Sequence, residues 1–209
     1  MKNGHEPLIG RVCSELVARY GVHSVVLYGS RANGTATPDS DYDIAAFGPV
    51  ERLVRDARQV DGSYLDVFIY PEAELAGEAE EHLKLRGAKV LMQRGSEAEE
   101  FLARLDRLHA RGPAPLSTDE IALRKSWALK MVARIERGDD EGNYRRVWLL
   151  TALLEDYFAL RGKWFDGPKK ALQWLAGHDP ASHRAFSIAL RPGADVSAIR
   201  ALAERVIGE

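Results

Sequence analysis

The chain has 209 residues, of which 45% are hydrophobic and 29% charged, a balance typical of a globular protein with one large domain or two small ones. Its formal net charge of -2, from 29 basic and 31 acidic residues, argues against a polybasic nucleic-acid binder. The single cysteine, Cys13, excludes an internal disulfide and a CxxC zinc pair, and no apolar run is long enough for a membrane helix, so a soluble cytoplasmic protein is expected.

The first half of the chain alternates between helical and β-preferring segments. Apolar side chains four residues apart predict a first helix from Pro7 to Tyr20, which ends at Gly21. Short apolar runs rich in Val, Ile, Tyr and Phe predict four strands, at 25–28, 42–47, 64–70 and 88–92. Further helices are predicted at 50–58, 72–84 and 97–111.

The second half reads as helical throughout. The run Gly112–Pro115 interrupts the pattern, and Ser117 with Glu120 three residues later has the spacing of a helix capping box. From there to the C-terminus the apolar residues follow helical spacing, with no segment of alternating polarity. The predicted fold class is therefore α+β: a small mixed sheet flanked by helices, followed by an all-helical bundle.

Three aspartates carry the strongest chemical signal. Asp41 and Asp43 are two residues apart at the start of the second strand, so their side chains point to the same face. Two such carboxylates repel each other unless a cation lies between them, and Mg²⁺ prefers oxygen ligands of this kind. Asp66 lies inside the apolar third strand, where an unpaired charge is costly. If the two strands are neighbours, the three carboxylates converge; the alternative is that Asp66 faces solvent on an edge strand.

A glycine–serine turn follows the first strand. Gly29 would let the backbone approach a phosphate closely, and the Ser30 hydroxyl with nearby N–H groups can bind phosphate oxygens. Arg31 can add a charge-assisted contact to a triphosphate or pair with a surface carboxylate, and the sequence does not decide between the two.

The GSRANG segment at residues 29–34, the DYD segment at 41–43 and the later strand aspartate resemble the GS…DxD signature of the nucleotidyltransferase superfamily. This superfamily includes kanamycin-type and streptomycin-type antibiotic nucleotidyltransferases and small antitoxin nucleotidyltransferases. The resemblance covers about the first hundred residues. It implies a nucleotidyltransferase domain at residues 1–112 and a helical acceptor-binding domain at residues 113–209.

The resemblance also implies roles for individual residues. Gly29 and Ser30, with Arg31, would bind the nucleotide, and Asp41 and Asp43 would bind metal. Asp66 would be a third metal ligand or the base that activates the acceptor. The cofactor would be one or two Mg²⁺ ions, and ATP would be the donor substrate.

The expected activity is transfer of AMP, or another nucleoside monophosphate, to a hydroxyl acceptor with release of pyrophosphate. The acceptor is expected to be a small molecule such as an aminoglycoside-type antibiotic. One alternative is a protein adenylyltransferase of a toxin–antitoxin pair, and another is an inactive nucleotide-binding regulatory module. Glu155 and Asp156 could form an acidic patch for a cationic acceptor, although a solvated helix face explains them as well. The sequence leaves the acceptor, the base preference, the number of metals and the oligomeric state open.

Overall fold

A computed structural model describes residues 6–208 and divides the chain into two compact units, one ending at Arg111 and the other beginning at Gly112. The first unit combines a mixed five-stranded sheet with helices, and the second is built from helices. The predicted fold class is therefore confirmed. Within residues 6–208, no helix combines the length and the apolar character needed to cross a membrane.

The first unit begins with a helix, and its strands are interrupted by one short helix and two 3-10 helices. In chain order the elements are α1 Glu6–Tyr20, β1 Ser24–Tyr28, α2 Gly29–Ala32, β2 Tyr42–Gly48, β3 Val54–Val60, β4 Ser63–Pro71, the 3-10 helices Glu72–Ala76 and Glu80–Leu85, β5 Lys89–Met92 and α3 Glu97–Arg111. The four strands, the first helix and the helix at 97–111 that the sequence predicts are confirmed.

The strands are ordered β3-β4-β2-β1-β5, which places β2 at the centre of the sheet. β2 runs parallel to β4, and the other neighbouring strands are antiparallel. Both faces of the sheet are covered. Apolar residues of α1 pack on one face, and α3 with the 3-10 helices packs on the other. A side chain on a central strand therefore reaches solvent only near the end of that strand.

The helix predicted at residues 50–58 is wrong, because Val54–Val60 forms the edge strand β3. Its side chains alternate in exposure, as expected for a strand with one covered face. β3 is joined to β4 by a tight turn in which Asp61 and Gly62 have φ angles of 51° and 78°. An Asp-Gly pair with two positive φ angles is the usual two-residue β-hairpin turn. This hairpin signal outweighs the weak helical spacing of the segment.

The helix predicted at residues 72–84 is also wrong. Two 3-10 helices, Glu72–Ala76 and Glu80–Leu85, replace it. Gly77, between them, has extended backbone angles (φ -84°, ψ 172°), which end the first helical turn. The second 3-10 helix buries both Leu83 and Leu85, and Leu85 belongs to the apolar cluster on this face of the sheet. The short 3-10 helix is enough to bury these two residues, so a continuous helix is not required.

The second unit consists of five helices within the described residues: α4 Thr118–Ile135, α5 Asp140–Ala159, α6 Pro168–His178, α7 Pro180–Ala189 and α8 Val196–Ile207. The predicted capping box is confirmed, because the Ser117 side chain accepts from the backbone N–H of Glu120 while the Glu120 carboxylate accepts from Ser117. A single apolar cluster containing residues of all five helices forms the core.

Asp179 stabilises the start of α7, and this contribution should depend on pH. Its carboxylate accepts hydrogen bonds from the Ser182 backbone N–H at 3.0 Å and the Tyr157 hydroxyl at 2.8 Å. Hydrogen bonds from Ser182 and Tyr157 lower the pKa of Asp179 from 3.8 to about 2. A carboxyl with a lowered pKa stabilises the fold fully above 3.8 and loses that stabilisation as the pH falls through about 2.

We therefore expect Asp179→Asn to lower the melting temperature at about pH 6, and the gap from wild type to close as the pH approaches about 2. Thermal unfolding followed by circular dichroism measures this difference. Asp140→Asn, at an exposed position in the first turn of α5, is the control. A gap for Asp179→Asn that is equal at both pH values would contradict the assignment.

Candidate active site

Asp43 and Asp66 lie side by side on the central strands of the sheet. They are paired in the parallel register of β2 and β4, so their side chains emerge from the same face, one strand apart. On the other side of β2, Tyr28 of β1 is paired with Asp43. One carboxylate from each of two strands and a phenol from the third thus form a row across the sheet.

The glycine–serine turn lies directly against this row. Gly29 follows Tyr28 and has a φ of 72°, a conformation that L side chains rarely adopt. A Cβ atom placed on Gly29 would lie 2.2 Å from Oδ2 of Asp43. The backbone can therefore approach the carboxylate only because residue 29 is glycine. Ser30, next in the chain, is brought to the same edge of the sheet.

Asp41 precedes β2 and is exposed, while Asp43 is partly buried. Burial, followed by the negative charges of Asp41 and Asp66, raises the pKa of Asp43, and Lys84 acts in the opposite direction. Burial and the Asp43 charge likewise raise the pKa of Tyr28, so this phenol stays neutral. Mutual repulsion of three carboxylates is the electrostatic condition that a bound cation relieves.

Arg31 holds the backbone that leads into Asp41. Its Nε donates to the carbonyl oxygens of Ser40 and Asp41, at 2.9 and 3.1 Å. Its guanidinium carbon lies 3.9 Å from the centre of the Tyr42 ring. These contacts fix the position of Asp41 relative to Asp43. The suggested contact between Arg31 and a triphosphate stays a prediction.

Two cations beside the carboxylates were missed by the sequence analysis. Arg55 of β3 donates from Nε and Nη2 to the two oxygens of Asp66, at 2.8 and 2.9 Å. Lys84 lies with its Nζ 4.5 Å from the centre of the Phe68 ring and acts electrostatically on Asp43. Both residues fall in segments that the helical spacing assigned to helices, so their proximity to Asp66 and Asp43 was not predicted. The Asp-Gly turn before β4 was the signal that would have located Arg55.

A second group of potential ligand atoms belongs to Glu74, Glu81 and His82, whose nearest atoms lie within 4.8 Å of one another. The His82 ring is buried, and its Nε2 lies 2.7 Å from Oε2 of Glu74. Among the residues that the structure describes, its buried Nδ1 has no hydrogen-bond partner. If a metal bound Nε2, the ring proton would lie on Nδ1, and no described residue accepts a hydrogen bond from Nδ1. The group is better explained as a buried imidazole whose Nε2 hydrogen-bonds the Glu74 carboxylate.

The acidic residues of α5 do not form a patch. Asp156 is buried and pairs with Arg124 of α4, whereas Glu155 is exposed. Glu155 and Arg124 line a cavity of about 230 Å³ within the helical unit, together with Lys163 and the aromatic side chains of Trp164 and Phe165. The cavity offers both charges and aromatic faces, without an acidic excess.

Comparison of the chain with known proteins identifies a family match that lies within the first unit. Residues 9–108 match the family model described as nucleotidyltransferase domain, which confirms the resemblance drawn from the sequence. This match supports nucleotidyl transfer as the general activity of the matched region. No curated protein sequence matches the chain.

Among solved structures, the chain is similar to a nucleotidyltransferase-like protein from Exiguobacterium sibiricum. The two share 10% sequence identity with a TM-score of 0.49, over 98% of this chain and 75% of the other.

Proposed function

We propose that this chain, whose residues 9–108 match the nucleotidyltransferase domain, transfers AMP from ATP to a hydroxyl group of a small-molecule acceptor and releases pyrophosphate. The observation that carries the proposal is the pairing of Asp43 with Asp66 beside the Gly29 turn. Paired carboxylates on adjacent strands and a backbone that only glycine permits are the two halves of a site for a metal and a triphosphate.

The donor set fits a divalent cation. Burial, followed by the charges of Asp41 and Asp66, raises the pKa of the partly buried Asp43, and a bound cation would offset this repulsion. We assign Asp41, Asp43 and Asp66 as the ligands of one or two Mg²⁺ ions. When bound, Mg²⁺ supplies neutralisation of phosphate charge and orientation of the triphosphate. The Glu74–His82 group is not assigned to this role, because of its orphaned Nδ1.

The phosphates of ATP are assigned to the turn after β1. Gly29 and Ser30 are the first residues of this turn, and the Ser30 hydroxyl can donate to a phosphate oxygen. Arg31 acts on the same site through the carbonyls of Ser40 and Asp41, and its positive charge favours a nearby triphosphate.

In the proposed reaction, the acceptor oxygen forms a bond to the α-phosphorus of ATP. The bond from that phosphorus to the bridging oxygen breaks, and the electron pair leaves with pyrophosphate. The acceptor hydroxyl loses its proton to a carboxylate or to water. Both oxygens of Asp66 accept hydrogen bonds from Arg55, so neither can take up the acceptor proton while this ion pair is closed, and we assign Asp66 as a ligand ahead of the base role.

Residues 113–209 are assigned as the acceptor-binding domain. The support is the cavity lined by Arg124, Glu155, Lys163 and two aromatic side chains, since ligand cavities combine aromatic walls with a few polar groups. This lining suits a hydroxylated molecule that carries charges of both signs or a planar ring.

The test is transfer of label from ATP that carries ³²P in its α-phosphate. The full-length protein is incubated with ATP, MgCl₂ and a panel of hydroxylated small molecules that includes aminoglycosides, and separately with a cell lysate. We expect a labelled small molecule and an equal amount of pyrophosphate. When the label is in the γ-phosphate instead, we expect the acceptor to stay unlabelled and the label to appear in pyrophosphate.

Three other results would change the proposal. A labelled protein band without a labelled small molecule would favour a protein adenylyltransferase. Stabilisation by ATP and Mg²⁺ without any pyrophosphate would favour a regulatory module; ligand at 100 times its Kd should raise the free energy of unfolding by about 2.7 kcal/mol. Absence of both stabilisation and transfer would reject the nucleotide site.

A further inference from the structure

Arg55 lies on the same face of the sheet as the carboxylates. In the antiparallel register of β3 and β4, Arg55 is paired with Phe68, and Ala57 is paired with Asp66. Arg55 therefore approaches Asp66 diagonally, from an edge strand. Its guanidinium carbon lies 5.2 Å from the centre of the Phe68 ring, which supports the side chain in this direction.

The contact between Arg55 and Asp66 engages both oxygens of the carboxylate. Nε bonds Oδ1 at 2.8 Å and Nη2 bonds Oδ2 at 2.9 Å, which is the paired geometry that a guanidinium forms best. An arginine remains charged at any pH at which the protein is folded. Asp66 is thus already paired with a cation, and within residues 6–208 neither Asp41 nor Asp43 forms a salt bridge of this kind.

The ion pair is nonetheless easily opened. The Arg55 side chain is 61% exposed and that of Asp66 is 25% exposed. Solvent-exposed ion pairs contribute modestly to stability, because water and salt compete with them, and the paired geometry places this one toward the upper end of their range. A divalent ion accompanied by a triphosphate can therefore displace the guanidinium, whereas an ion arriving alone meets the repulsion of Arg55.

We propose that Arg55 pairs with Asp66 in place of a metal ion while the site is free of metal. Arg55 is then displaced when a metal binds this carboxylate. The inference rests on the proposed function, which assigns Asp66 as a metal ligand. In the absence of nucleotide the site takes up metal through Asp41 and Asp43, and Arg55 weakens any binding that requires Asp66. Arg55 thereby couples full metal loading to arrival of the triphosphate.

The test is metal affinity in the absence of nucleotide. The full-length protein is titrated with Mn²⁺ at constant ionic strength, and free Mn²⁺ is measured by electron paramagnetic resonance. We expect Arg55→Gln to bind Mn²⁺ about twofold to fivefold more tightly than wild type, which is the range expected for removing an exposed ion pair. Arg55→Lys keeps the charge and loses the paired geometry, so its affinity should lie between the two.

Arg58→Gln is the matched control. Arg58 lies on the same strand but is paired with Leu65 on the opposite face, where it bonds Glu15. The control removes the same charge, and its Mn²⁺ affinity should equal that of wild type. The double variant Arg55→Gln/Asp66→Asn should lose the gain, because the gain acts through Asp66.

Equal or weaker Mn²⁺ binding by Arg55→Gln would overturn the inference and identify Arg55 as a residue that positions Asp66. If wild type also transfers AMP in that case, the proposed function stands without this inference. If neither wild type nor any variant binds Mn²⁺, both fail. An equal gain in Arg58→Gln would attribute the effect to net charge and would also overturn the inference.

Discussion

Replacing Asp43 by asparagine is expected to abolish nucleotidyl transfer and, at the same time, to raise the melting temperature of the metal-free protein. Transfer fails because asparagine removes a negatively charged ligand from the central position, and metal stabilisation of a phosphoryl transition state is worth several kcal/mol, which is a loss of at least about 10²-fold. The melting temperature rises because the ionised Asp43 is disfavoured by burial and by the charges of Asp41 and Asp66. In a chain of this length, each kcal/mol corresponds to about 2–4 °C.

Asp39→Asn is the matched control for this variant. Asp39 is exposed, and it lies in the same loop, two residues before Asp41. The control changes the net charge equally and should leave both the transfer rate and the melting temperature close to wild type. Label transfer and differential scanning fluorimetry in the presence of a chelator are the two measurements. Residual transfer near the wild-type rate in Asp43→Asn would remove Asp43 from the catalytic site, and a lower melting temperature would show that its charge is compensated in the metal-free protein.

The strand positions of the site could be predicted because they depend on local sequence. β1 and β2 are short apolar runs with strong β preference, and Asp43 must share a face with Asp41 if the chain is extended there. Apolar character around Asp66 similarly indicates a buried strand. The sequence predicts that the three carboxylates converge only on the condition that the two strands are neighbours. The parallel pairing of β2 with β4 meets this condition, and sequence spacing alone does not contain it.

The cations were not predictable in the same way, since their positions depend on pairing between strands. Arg55 reaches Asp66 only because β3 folds back on β4 through the Asp61–Gly62 turn. Its segment has enough helical periodicity to suggest a helix, and the hairpin signal follows it by only a few residues. Lys84 depends on a 3-10 helix whose position is fixed by burial of Leu83 and Leu85. Tertiary packing overrode local propensity in both segments.

The function of the helical unit could not be predicted from the sequence for a different reason. The capping box at Ser117 could be recognised because its two hydrogen bonds require particular residues at a fixed spacing. Helix packing in the core requires only apolar side chains at helical spacing, which many sequences satisfy. Asp156 shows the consequence, because the sequence presents it as a neighbour of Glu155 on a solvated face. The structure instead buries it against Arg124.

The second large effect is expected for Gly29→Ala, which tests the close approach of the turn to Asp43. The new Cβ would lie 2.2 Å from Oδ2 of Asp43, so the carboxylate must move away from the turn. A displacement of about 1 Å at a reacting centre can reduce the rate about 10²-fold, and we expect a loss of this order together with weaker Mn²⁺ binding. The positive φ of 72° adds a backbone cost of about 1–2 kcal/mol, which will appear as a lower melting temperature.

Gly34→Ala separates these two costs. Gly34 has nearly the same φ, 73°, but no atom lies within 4 Å of the position its Cβ would take. The control therefore carries the backbone strain without the collision with Asp43, and it should lose stability by a similar amount while keeping its transfer rate and Mn²⁺ affinity. Because strain is matched, the difference in rate between the two variants measures the placement of Asp43 against the turn. Equal rates in Gly29→Ala and Gly34→Ala would mean that this close approach has no part in catalysis, and the assignment of the triphosphate to the turn would lose its main support.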